Sequence, residues 1–157
     1  LRIGDLGGAP SDVALSAGLS ATMEIPAMLV IGVLARRIGL RVIFASAALL
    51  YAACMASWMV LDVPLLIVAT RALTGIGFAG VIIGVVLTIA AILPKELQGT
   101  GQSLFQTSAF GLASIAANVI GGVLYESYGH ATVFGLGAVL AVGAAAIGWF
   151  AFPRSHA

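Results

Sequence analysis

Apolar residues fill five long stretches of this chain, and polar residues gather in the short breaks between them. The first stretch covers residues 13–35, long enough for the ~20 residues that a bilayer core requires of a helix. Ser11 or Asp12 offers it an N-cap, and Pro26 predicts a bend just past Glu24. The second stretch, residues 42–61, carries no charge and ends at Asp62-Val63-Pro64, with Trp58 near the interface where indole rings prefer to sit. The third, residues 65–93, is interrupted only by Arg71. It exceeds one bilayer thickness and so predicts tilt or a protruding end. Pro94, Lys95 and Glu96 end it. The fourth runs over 101–125 with Gln102, Gln106 and Asn118, followed by a turn from Glu126 to His130. The fifth covers 131–152 and leaves a tail at 154–157. Residues 1–11 hold four Gly or Pro positions and no helical period, which predicts a loop.

Composition supports this reading. Charged residues make up 8% of the chain and hydrophobic ones 61%. A soluble domain needs roughly 25% charged residues to cover its surface, so the fold class is an all-α, polytopic transmembrane helix bundle of five spans. A net charge of +1 with no basic face gives nucleic acid nothing to bind. Cys54 is the sole cysteine, so no disulfide forms within the chain. No HExxH, P-loop, paired-cysteine or G-x-S-x-G pattern is present. The expectation is a protein that is not an enzyme, with no cofactor and no metal. Leu1 at the start reads as a fragment whose beginning lies upstream.

Two charges inside spans raise the question of function. A charge at mid-bilayer costs at least about 2.5 kcal/mol on translocon scales and is usually retained for a task. Glu24 is a candidate for proton coupling or substrate binding, because desolvation suits a carboxylate to carrying a proton. Its alternative role is structural partner of Arg71. Arg71 could itself bind solute or snorkel to the interface. Gln106 shares a helix face with Gln102, and Asn118 lies deeper in the same span. These four residues, Glu24, Arg71, Asn118 and Gln106, form the candidate proton-coupling or substrate set. The 20 glycines, crowded at 75, 77, 80 and 84 and again at 111, 121 and 122, predict close helix packing.

Basic residues set the orientation. Arg36, Arg37, Arg41, Lys95 and Arg154 fall on one side of the membrane, against Arg2 alone on the other. The arginine loop and the C-terminus are therefore expected in the cytoplasm, and residues 1–11 outside.

The string Gly32-Val33-Leu34-Ala35-Arg36-Arg37-Ile38-Gly39-Leu40-Arg41 resembles the cytoplasmic loop motif of the major facilitator superfamily. Gly32, Arg36, Arg37, Gly39 and Arg41 carry the likeness. Arg36 stands where the motif usually has an acid, which matches its more degenerate copy between helices eight and nine. With that register the chain resembles helices eight to twelve, a partial C-terminal domain. Glu24-Ile25-Pro26, the run from Gly99 to Leu104 and the run from Asn118 to Gly122 are similar to sugar efflux transporters and oligosaccharide–proton symporters. The resemblance implies secondary active transport of a small organic solute such as a sugar, by symport or antiport with protons. It also implies alternating access against a missing N-terminal half, in a bacterial plasma membrane. The partners would be the lipid bilayer, the solute and protons. The alternatives are a multidrug or metabolite exporter of the same superfamily and a non-transporting membrane scaffold subunit.

The orientation is testable directly. A cysteine at position 129 should react with an impermeant thiol reagent added outside the cell, and one at position 40 should not. Labelling of position 40 from outside would reverse the assignment.

Overall fold

The computed structural model describes residues 2–152, and among these the structure is helical nearly throughout. In a bilayer every backbone polar group needs an internal partner, which leaves the helix as the economical solution for an apolar chain. A short turn α1 (Arg2–Asp5) precedes α2 (Pro10–Ile38), α3 (Leu40–Val60) and α4 (Pro64–Ile92). Then come α5 (Lys95–Gln106), a π-helical segment (Thr107–Leu112), α6 (Ala113–Tyr128) and α7 (His130–Ala151). The α5–π–α6 run is one continuous rod, so five rods are long and apolar enough to cross a membrane. The tail from residue 153, including Arg154, lies outside the described residues, as does Leu1.

The element ends differ from the sequence-based boundaries for local reasons. Residues 1–11 are expected as loop, yet Arg2–Asp5 forms a helical turn because Ile3 buries itself in the core beside Trp58. Gly7, with φ 79°, then reverses the chain. The cap of α2 is Ala9 rather than Ser11 or Asp12. Asp12 acts from inside the helix, its Oδ2 accepting the Ala9 N–H at 2.8 Å. The rod expected from residue 101 begins at Lys95, with Pro94 as N-cap and Glu96 in the first turn, where a negative charge favours the helix dipole. Gln98 ties this start to α4, donating to the carbonyls of Ala90 at 3.0 Å and Leu93 at 3.1 Å. The turn expected over 126–130 shrinks to Gly129, and the arginine turn to Gly39. These glycines have φ values of 81° and 89°, a region that other residues rarely adopt. Pro26 does not end α2. It withholds the N–H that the Thr22 carbonyl would otherwise receive.

The rods α2 and α4 each have 29 residues, about 44 Å of rise against a hydrocarbon core of ~30 Å. They run parallel because α3 returns the chain between them. α4 is the centre of the bundle: α2 packs along one side of it and α3 along another, and α7 packs along α3. α6 touches mainly α7 and has no buried residue.

Small residues make these approaches possible. A Cβ on Gly75 would run into the backbone carbonyl of Ser20 on α2. One on Gly80 would lie 2.6 Å from the Ala47 side chain on α3, and one on Gly77 would lie 3.3 Å from the Ala47 carbonyl oxygen. Opposite them α3 presents the buried Ala47, while Ala45 and Ala48 are buried with Ala145 of α7. Ala79 has no exposure at all, closed in by Ile31, Ala35 and Ile43.

Gly75→Ala should therefore lower thermal stability in detergent, since its methyl meets backbone that cannot turn away, an overpacking cost of roughly 1–3 kcal/mol. Gly143→Ala, on α7 with nothing within 4 Å, should be neutral or stabilising by up to about 1 kcal/mol from helix propensity. Equal melting temperatures for the two variants would contradict the close α2–α4 crossing.

Candidate functional site

The Ser20–Gly75 crossing fixes the register of the two charged spans. Glu24 lies four residues beyond Ser20 on α2, and Arg71 four residues before Gly75 on α4. In parallel helices that separates the two by ~12 Å along the axis. Both side chains lean toward their N-termini, so leaning does not close the gap. Accordingly Glu24 and Arg71 form no ion pair. Among the described residues the one ion pair is Arg2 to Asp62, at 2.6 Å.

Arg71 instead places its guanidinium 5.7 Å from the centre of the Trp58 ring on α3, a cation–π contact that strengthens away from water. Trp58 is correspondingly buried within the bundle, near the end of α3. Its Nε1–H donates to Thr70 Oγ1 at 2.7 Å, Thr70 donates onward to the Ile67 carbonyl, and Phe134 meets the indole edge-on at 5.5 Å. The indole's polar edge is thus satisfied internally. Glu24 is half-buried on α2. Tyr51, on α3, packs its ring on Gly77 between the levels of Glu24 and Arg71. Sequence patterning gave Tyr51 no role, because one tyrosine in an apolar run looks like core.

The other two candidates lie elsewhere. Gln106 is the exposed last residue of α5. Asn118 is exposed on α6, where its Nδ2 donates to the Ser114 carbonyl at 2.9 Å. It lines a cavity of about 330 Å³ with Arg2, Gly121, Gly122 and Tyr125 at the end of the bundle where the chain begins. The structure thus sets Glu24 and Arg71 at separate levels on either side of the Tyr51 ring and leaves Gln106 and Asn118 on a separate rod. That rod changes to π geometry at Thr107–Leu112, near its midpoint, and Phe110 there meets Phe78 of α4 edge-on at 5.9 Å. π-segments often mark functional places in helices. A larger cavity of about 480 Å³ lies between α6, α7 and α3, lined by Met55, Ile120, Leu124, Phe134 and Leu140 among other apolar residues.

At the opposite end, the loop-motif residues divide by task. Arg36 and Arg37 are exposed, and Gly32 has open space around it. Gly39 makes the reversal. Arg41 turns inward: its Nη2 donates to the Phe152 carbonyl at 3.2 Å and its guanidinium lies 5.5 Å from the centre of the Trp149 ring. A cation at the C-terminus of α7 answers both the orphan carbonyls and the helix dipole there. Among the described residues no three His, Cys, Asp or Glu side chains converge as a metal cage would.

A family model described as Major Facilitator Superfamily matches residues 3–157. Neither a curated protein nor a solved structure matches the chain. The family match runs through all five membrane-length rods and the glycine-punctuated arginine joint, and the chain belongs to the Major Facilitator Superfamily, whose members move small solutes across membranes as secondary transporters and are not enzymes.

Proposed function

We propose that this chain works as part of a proton-coupled transporter of a small organic solute, with Glu24 as the proton-carrying group. The observation that supports this most is a half-buried carboxylate deep in a span, with no cation paired to it among the described residues. A structural acid at that depth would be matched by its obvious cation, and Arg71 is engaged with Trp58 instead. An unmatched acid in a span can gain and lose a proton between states of the cycle, as proton relays in transporters do. Arg71 and Tyr51 are then the neighbours that tune it.

The sugar assignment rests on the likeness of Glu24-Ile25-Pro26 and the glycine runs to sugar efflux transporters and oligosaccharide–proton symporters. The reading takes the chain as helices eight to twelve of such a transporter, with its other half as partner across an alternating-access cavity. In that arrangement the Arg41 end faces the cytoplasm of a bacterial plasma membrane and residues 1–11 face outward. A second reading, an exporter of apolar compounds, draws support from the apolar lining of the cavity beside α6.

In the full-length transporter, Glu24→Gln should abolish gradient-driven accumulation while leaving solute exchange, folded yield and melting temperature close to the parent. The amide keeps size and polarity but cannot cycle a proton. Were Glu24 a structural mate of Arg71, the same change would cost ~3–5 kcal/mol through an unpaired buried cation, and Arg71→Leu would restore the yield. Normal pH-driven accumulation in a well-folded Glu24→Gln protein would rule out the carrier role.

A further inference from the structure

The rod from α5 through α6 has 34 residues, none of them buried, and changes helix type near its middle. Gln106 and Asn118 are twelve residues apart on it. Twelve residues of unbroken α-helix would leave Asn118 about 120° around the axis from Gln106, on a different face. A π turn holds about one residue more than an α turn, an offset of about 100°. The segment Thr107–Leu112 therefore returns Asn118 to within about 20° of Gln106. Phe110 and Ser114 fall between them, close to the same line.

The contacts agree with that placement. Asn118 Nδ2 lies 3.5 Å from Ser114 Oγ, one turn back. Asn118 and Tyr125, seven residues apart, border the same cavity of about 330 Å³. Phe110 meets Phe105 at 6.3 Å and Phe78 of α4 at 5.9 Å, both edge-on, and is itself 51% exposed. The other two sides of α6 are apolar. Ala113, Ala116, Ile120 and Leu124 line the larger cavity beside α7, and Ile115, Val119 and Val123 are exposed on the third side.

A hydrocarbon core of ~30 Å centred on this rod covers roughly its middle 20 residues. Gln106, Ser114 and Asn118 all lie within that stretch. Facing lipid, two amides and a hydroxyl would lose water and gain nothing in return. The apolar sides beside them carry no such cost. Lipid and α7 therefore take the apolar sides, and the polar one meets water. Its chemistry narrows what else it meets. A half-open aromatic ring with amides above and below suits a solute ring that is apolar on its face and hydroxylated at its edge.

We propose that the π-segment resets the register of this rod so that Gln106, Phe110, Ser114 and Asn118 form one strip along the aqueous solute path. Phe110 is the platform for the face of a hydroxylated ring, and Gln106 and Asn118 are the hydrogen-bonding groups for its edge. The inference rests on the transport reading but not on Glu24, which lies on a different helix.

The test uses the full-length transporter in lipid nanodiscs, with single cysteines placed along the rod in an otherwise cysteine-free background. A charged methanethiosulfonate needs the thiolate. Cysteines at 106, 110, 114 and 118 should therefore react at least about tenfold faster than those at 115 and 119, because lipid disfavours the ionised thiol. Fast reaction at 113 and 120 with slow reaction at 114 and 118 is the pattern of an unbroken α-helix and would overturn the register reset. Slow reaction at all of these positions would overturn the wet strip. Glucose, galactose or lactose, each in large excess, should remove most of the labelling at 114. Protection by none of the three would overturn the hydroxylated-ring assignment. Phe110→Leu should abolish the protection while keeping the labelling pattern, and Phe110→Tyr should retain both. Full protection in Phe110→Leu would overturn the platform. Failure of the carrier reading shows elsewhere, as normal accumulation by Glu24→Gln, and leaves the labelling pattern as it stands.

Discussion

The crossing of α4 with its neighbours is the constraint on which the rest depends. Lipid tails are as apolar as leucine, so no hydrophobic effect drives one span against the next. Dispersion over closely approaching backbones has to supply the association, and that needs missing side chains at the points of contact. Gly75 against Ser20 and Gly80 against Ala47 are those points. They place α2 and α3 on separate sides of α4 and set the parallel register of α2 and α4. From that register the separation of Glu24 and Arg71 follows, and with it the freedom of each to have a different partner.

The polar groups in the bundle illustrate two solutions to the same difficulty. Trp58, Thr70 and the Ile67 carbonyl form a closed chain of donors and acceptors, which anchors the α3–α4 pair and gives Arg71 an aromatic surface to rest on. Arg41 does the corresponding work at the far end of α7, where the helix runs out of donors for its carbonyls. Glu24 has no paired cation among the described residues, and an unmatched acid within a span is where chemistry is expected.

Much of the fold was legible in the sequence because membrane spans announce themselves through length and the absence of charge. The five rods, the glycine packing and the arginine joint were all readable in that way. The ends of the rods were less so. Gly129 and Gly39 compress their turns to a single residue, and Gln98 pulls six residues of expected loop into α5, none of which alters hydropathy. The site was legible only in part. Glu24 and Arg71 stand out by charge, but their separation depends on a helix register that no pattern encodes, and Tyr51 reads as core until Gly77 is placed beneath it. Arg2 and Asp5 were counted only as loop charges, since their partners lie 59 to 128 residues away in the chain.

The single-residue joint at Gly39 bears on how the protein is made. It connects α2 and α3, yet these two helices touch little beyond it, because α4 occupies the space between them. The pair is thus a notch before it is a bundle. Without α4 the notch is open, and Ser20 lacks the Gly75 backbone it packs against. α4 fills that notch, packing on both helices at once. Assembly therefore closes around α4, and the order of the chain is also the order in which its costliest residue is sheltered.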